Sequence, residues 1–284
     1  MNSTAVSWSS AINHPELVSP IKQLLCETGL TETAVFPQPD KLMAVTNHWH
    51  NGNWSGPEFK GQSTFSDDDG RYYEEIIFQD NVLPTRESNW HDFFNALIWM
   101  QFPRTKGLLN RMHVEDIAAH GVHPRTASRN RITHFDECGV VLAVPERLQP
   151  QGRELLYALA HHNWIEIMLE KRANWGDVLY PFIFGHANLE MLLEPFIGLT
   201  GKWLAVTVPD DFNQMSFQQQ CHAVDTALFQ RFTKTDVFSV KGHLHPLPLL
   251  GVPGWYSPQN LTFYQNTDYF RPLIKQKTVG ELLP

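Results

Sequence analysis

Two histidines in this 284-residue chain stand beside carboxylates at helical spacing. In Asn89-Trp90-His91-Asp92-Phe93-Phe94-Asn95, His91 and Asn95 lie four apart and Asp92 and Asn95 three apart, so each pair shares a helix face. In Gly185-His186-Ala187-Asn188-Leu189-Glu190, His186 and Glu190 also lie four apart and can face one point. Imidazole and carboxylate together suit a divalent metal, which makes His91, Asp92, His186 and Glu190 the candidate ligands. The same chemistry makes His91, Asp92 and Asn95 candidates for acid–base work, together with Glu137 and Asp136 of the run Thr133-His134-Phe135-Asp136-Glu137. Each group also has an ordinary reading. Asn89 can be an N-cap with Asp92 as the acid of a capping box. Glu190 can simply favour a helix dipole. Asp136 and Gly139 can open and close a turn, which leaves Glu137 unexplained.

Arg86, Arg104 and Lys106 form a candidate anion site. Arg104 and Lys106 open a helix, where free backbone N–H groups already favour an anion. The plain alternative is solvated surface charge, with Arg86 beside Glu87. His48/His50, His120/His123 and His243/His245 each offer two imidazoles without a third partner at zinc spacing. The chain has no GxGxxG, P-loop, HExxH, GxSxG or cysteine-based zinc signature.

The elements that must position these groups read as α+β: a mostly helical single domain with a small antiparallel sheet or hairpin. Residues 1–70 read as an N-terminal capping segment with one helix at Pro15–Thr28, then loop over 37–70 with an acidic turn at Asp67–Gly70. Residues 71–284 read as the main domain. Arg71–Phe78 is aromatic and β-branched and predicts a strand. Asn89–Gln101 is apolar around nearly its whole circumference, which predicts a buried helix. Pro103 starts a second helix, to about His113. Ile132–Phe135 and Val140–Val144 predict a hairpin closing on Asp136–Gly139, with Gly139 at positive φ. Helices follow at Gly152–Glu170, His186–Glu194 and Met215–Phe232, with a strand at Trp203–Val208. The Pro- and aromatic-rich tail after His245 reads as ordered and wrapped on the core.

Composition narrows the function classes. Nine Trp and eighteen Phe supply a large core, and only 18% of residues are charged, against about 25% in an average globular protein. The net charge of −8 and the lack of any Lys/Arg-rich run argue against a duplex nucleic-acid partner. Apolar runs end at five residues, far short of the roughly 20 a membrane helix needs. The N-terminus lacks the charged and apolar regions of a signal peptide. Three scattered cysteines fit reduced thiols in the cytoplasm.

The run NWHDFFNALIWMQFPRTKGLLN at 89–110, FDECG at 135–139, GHANLEMLLEP at 185–195 and PLPLLGVPGW with FYQN and YFRP at 246–272 resemble a bacterial family, domain of unknown function 3025. The resemblance spans about Tyr72 to Pro272 and leaves the first 70 residues outside. It implies that the polar groups belong to one domain and brings no activity, substrate or cofactor.

The leading expectation is a cytoplasmic enzyme whose His/carboxylate pocket holds one divalent metal ion and hydrolyses an anionic small molecule, with phosphate compounds among the candidates. Two rivals stand beside it: a non-haem iron oxygenase using the same ligands, and a non-catalytic binding or scaffolding protein displaying the aromatic tail and the His48–Trp54 loop.

Overall fold

The computed structural model describes residues 6–66, 69–239, 241–273 and 282–283. Asp67 and Asp68 of the acidic turn lie outside them. The class is α+β, with helices packed around a two-stranded and a four-stranded sheet. None of the described helices is long and apolar enough to cross a membrane.

Helix α1 (Trp8–Ile12) begins at Ser7, whose hydroxyl accepts from Ser10 N. Helix α2 (Ser19–Glu27) buries Ile21, Leu24 and Leu25. The expected loop over 37–70 instead contains helix α3 (Pro39–Trp49) and strand β1 (Glu58–Gly61). Pro39 reads as a breaker but occupies the first helical position, where a missing N–H is harmless. This N-terminal part is built into the core. Trp8 stacks on Trp90 at 5.3 Å, and Trp90 Nε1 donates to Val6 O at 2.7 Å.

Tyr73–Asp80 is helix α4, not the expected strand. Its aromatic and β-branched residues favour a strand locally, but Glu75 turns back to accept from Tyr72 N at 2.8 Å and starts the helix. Asn81, in the left-handed region, ends it. Strand β2 (Val82–Thr85) then pairs parallel with β1. Helix α5 (Trp90–Gln101) is buried at every position except His91, which is half-buried, and so bears out the all-round apolar reading. Helix α6 (Pro103–His120) follows after one residue.

The expected hairpin is absent. Ala127–Cys138 is helix α7, capped by Thr126 Oγ1 accepting from Arg129 N at 3.0 Å. Gly139 has φ −66° and opens strand β3 (Gly139–Pro145). Its smallness serves packing, because a Cβ there would lie 2.4 Å from Phe135 O. Helix α8 (Gln149–Ala160) ends before His162 at φ 60°, and a π-turn covers Glu166–Glu170, so the predicted helix over 152–170 is two pieces.

Strands β4 (Tyr180–Ile183), β5 (Thr200–Val208) and β6 (His245–Pro248) complete a sheet of order β4-β3-β5-β6. The sheet is mixed rather than antiparallel: β3 and β5 run parallel from Gly139↔Lys202 to Pro145↔Val208, and the edge strands run antiparallel to them. Every residue of β3 is buried, as an unbroken apolar run in a covered central strand requires. Helix α9 (His186–Met191) follows β4, and α10 (Phe217–Lys234) follows β5 with a capping box at Ser216 and Gln219.

The described tail is ordered, as expected. It contributes β6 and helix α11 (Leu261–Tyr264), and it buries Trp255, Tyr264, Tyr269 and Phe270. Tyr269 Oη donates to Leu199 O at 2.6 Å and accepts from Leu250 N at 3.0 Å. Burial of each such ring contributes about 2 kcal/mol.

Candidate metal centre

The start of β3 gathers the site. β4 pairs with β3, and past the end of β4 both Phe184 N and Gly185 N donate to Gly139 O, at 3.0 and 2.8 Å. This lays Gly185 against the last turn of α7. A Cβ on Gly185 would sit 2.4 Å from Glu137 O and 2.5 Å from Cys138 N, so only glycine admits the approach. His186, the first residue of α9, is thereby held beside Glu137, the penultimate residue of α7. Helix α5 packs on α9 and adds His91 from its first turn.

Three donor atoms from three helices converge. His186 Nε2 lies 3.1 Å from His91 Nε2 and 3.4 Å from Glu137 Oε2, and His91 Nε2 lies 3.9 Å from Glu137 Oε2. Donors bound about 2.0–2.2 Å from one ion stand roughly 3–4 Å apart, and all three separations fit. Two facing Nε2 lone pairs at this distance need a proton or a cation between them.

The fourth member is Glu190, whose Oε2 lies 3.0 Å from His91 Nδ1. A carboxylate only accepts, so the proton belongs on Nδ1 and leaves the His91 Nε2 lone pair facing the cluster. This is the arrangement by which a carboxylate orients a ligating histidine. The Glu190 hydrogen bond raises the His91 pKa, with Glu137 adding to it against burial. Burial, reinforced by Lys106, lowers His186 to about 3 and keeps that ring neutral. Burial also raises the Glu137 carboxyl. Asp136 is pushed up by burial, but the Lys106 ammonium, whose Nζ lies 2.6 Å away, outweighs this and brings it below its ordinary value.

The other predicted residues separate. Asp92 lines the same pocket, but its oxygens accept from Arg86 N, Nε and Nη2 at 2.7, 2.9 and 2.8 Å, so it stands outside the donor cluster. Asn89 Oδ1 caps α5 by accepting from Asp92 N at 3.0 Å, as the ordinary reading has it. Asn95 is buried and donates to Tyr73 Oη at 3.1 Å. Lys106 is buried in its pair with Asp136. Arg104 leaves the pocket altogether: it stacks 4.7 Å over Phe229 and donates to Thr226 Oγ1 at 3.1 Å. The start of α6 does hold an anion, but it is the chain's own Asp225, which accepts from Arg104 N and Thr105 N at 3.0 and 2.8 Å.

The cluster opens onto a pocket of about 300 Å³, also lined by Tyr73, Glu74, Asn110, His113, Arg125 and Thr133. Of these six, only Thr133 falls in a run singled out from sequence for its chemistry, and there without a role of its own. Asn110 and His113 continue the α6 face of Lys106 at helical spacing, a signal that could have found them. Tyr73 and Glu74 were hidden by the strand reading, and Arg125 by its position in a loop.

Fold and site together define an α+β protein with a two-histidine, one-carboxylate cluster at the floor of a small polar pocket. The chain belongs to the family described as protein of unknown function, DUF3025, whose model matches residues 58–273. The match begins ahead of Tyr72 and takes in β1, the parallel partner of β2. No curated protein and no solved structure matches the chain.

Proposed function

We propose that this protein is a divalent-metal-dependent enzyme of the cytoplasm that hydrolyses a small anionic molecule, with His91 Nε2, His186 Nε2 and Glu137 Oε2 as ligands. The observation that carries the proposal is the spacing of these three atoms, 3.1–3.9 Å apart, with Glu190 behind His91. Charge balance supports it. Arg86 and Lys106 already have carboxylate partners in Asp92 and Asp136. Glu74 and Arg125, which also line the pocket, carry opposite charges that offset when both are ionised. That leaves Glu137 and Glu190 with two imidazoles, and one divalent cation balances their two charges.

Such an ion, when bound, activates water and polarises a phosphoryl or carbonyl oxygen. The chain's own residues do the rest. Gly185 sets the close approach of His186 to Glu137. Glu190 holds the His91 ring by its Nδ1 proton. The pocket volume sits at the small end of ligand sites, which suits a metabolite rather than a polymer.

Two imidazoles and one carboxylate are also the donor set of non-haem ferrous oxygenases, and this favours a second reading. A scaffolding role keeps only part of its expected surface: Trp255, Tyr264, Tyr269 and Phe270 are buried, whereas His48, Asn51, Gly52 and Asn53 of the His48–Trp54 stretch are exposed. The test is elemental analysis of purified protein, then calorimetric titration with zinc, manganese and ferrous iron. About one ion per chain is expected, lost in His186→Ala. Hydrolysis of phosphate and carboxylate esters with zinc or manganese supports the hydrolase, whereas oxygen uptake with ferrous iron supports the second reading. Protein that binds none of the three ions ends both.

A further inference from the structure

The basic side chains around the pocket are not in equivalent circumstances. Arg86 pairs with Asp92 at 2.8 Å and Lys106 with Asp136 at 2.6 Å. Arg129, behind the wall, lies 3.6 Å from Asp116. Arg125 lines the pocket but meets only neutral oxygens: Nη2 donates to Tyr72 Oη, and Nη1 donates to Thr133 Oγ1 at 3.4 Å. The ion pairs of the pocket wall, among the described residues, do not include it. Glu74 feels the Arg125 charge without standing in an ion pair with it, and its carboxyl is raised mainly by burial. A half-buried guanidinium without a carboxylate partner keeps its fork available to an oxyanion.

The rest of the pocket lining has its own character. Asn95, Trp99 and His113 are each more than nine-tenths buried, and Asn95 Oδ1, Trp99 Nε1 and His113 Nδ1 make no hydrogen bond within the protein. They offer one acceptor, one donor and one imidazole nitrogen, and Glu74 Oε2 of the same lining is also without a hydrogen bond, its carboxyl raised by burial toward the neutral form; such a set suits hydroxyl or amide groups.

We infer that Arg125 anchors the oxyanion of the ligand, a small polar molecule with a carboxylate or phosphate at one end and hydroxyl or amide groups along its body. The inference that its other end meets His91, His186 and Glu137 rests on the metal-dependent reading above; the anchor itself does not. Arg125 is a binding residue here, and it replaces Arg104, which lies outside the pocket, as the anion contact.

The test uses full-length protein freed of metal with a chelator, so that it stands apart from the metal question. Calorimetric titration with inorganic phosphate and with acetate is run on wild type, Arg125→Met, Arg125→Lys and Arg104→Met, each checked by its melting curve. Saturable binding of one or both anions is expected in wild type, and which one binds identifies the oxyanion. Affinity should fall about tenfold or more in Arg125→Met, the loss of a charged hydrogen-bonding partner. It should fall several-fold in Arg125→Lys, which keeps the charge and loses the fork and covers the case in which the Met variant fails to fold. Arg104→Met should bind as wild type. Wild type that binds neither anion overturns the inference. So do Arg125 variants with wild-type affinity, or an Arg104→Met loss as large as that of Arg125→Met. Anion binding in a protein that takes up no metal would leave the anchor standing and remove the metal reading alone.

Discussion

His91 and His186 are separated by 95 positions in the chain, yet their Nε2 atoms lie 3.1 Å apart. With the His91 proton on Nδ1, a neutral His186 can donate its Nε2–H to His91 Nε2 across this gap, and a bound cation would take the place of that proton. The first prediction concerns which neighbours would hold the proposed cation. His91→Ala, His186→Ala and Glu137→Ala should each abolish stoichiometric metal. Asp92→Asn should keep it, because Asp92 is bound by Arg86 instead. Its cost should be stability, about 1–2 kcal/mol for a charged hydrogen-bonded pair with Arg86 half exposed, read by urea denaturation. Metal lost in Asp92→Asn and retained in Glu137→Ala would reverse the ligand assignment.

Glu190 touches His91 and not the other two donors, so its removal should weaken the site without destroying it. Glu190→Gln should lower metal affinity by about 10–100-fold, the usual effect of losing an orienting carboxylate. Stoichiometry at saturating metal should remain unchanged. An affinity equal to wild type in competition titrations would make the contact with His91 incidental.

Gly185 is predicted to be the packing hinge of the site. In Gly185→Ala the added methyl meets Glu137 O at 2.4 Å and Cys138 N at 2.5 Å, atoms of the backbone that cannot swing aside. The expected cost is about 1–3 kcal/mol of stability, accompanied by weaker metal binding as His186 moves from Glu137. Gly107→Ala, inside helix α6 with no atom near its Cβ, separates packing from a generic loss of glycine. A Gly185→Ala protein with wild-type melting and metal affinity would show that the approach is not tight.

Acid should destabilise the metal-free fold in a window set by its buried histidines. Burial lowers His113 to about 4 from an ordinary 6.5. Between those values the unfolded chain binds a proton that the folded chain refuses, so unfolding is favoured as pH falls through 6.5 toward 4. The loss for this residue is on the order of 2–3 kcal/mol across the window, and it levels off once the folded state is protonated as well. His113→Gln should flatten that part of the stability–pH curve, measured by denaturant titration from pH 7 to 4. A parallel curve for wild type and variant would sink the assignment.

Local sequence determined a good deal. The all-round apolar face of Trp90–Gln101 dictates a buried helix, because no other element hides residues on every side, and this is α5. Pro103, the Ser216/Gln219 box and the aromatic tail likewise carry their signals within a few residues. The residue types of the site were legible too: His91, His186, Glu190 and Lys106 stand out as polar groups in apolar surroundings. Their roles were not. Glu190 reads as a ligand by its spacing from His186, but it faces His91 from the neighbouring helix. Asp92 reads as a ligand by its adjacency to His91, but consecutive residues on a helix point apart, and Arg86 claims it. Glu137 sits in a segment that reads as a turn and folds as the end of α7, because a helix capped by Thr126 and packed on the sheet outweighs the turn preference of Asp136 and Gly139. What the tertiary structure alone decided is the meeting of α5, α7 and α9. That meeting depends on β4 pairing with β3 and on the bare Cα of Gly185 resting against Glu137, both contacts between residues tens of positions apart. Periodicity and propensity act over one or two turns of chain, whereas a coordination site is a matter of where separate elements end in space.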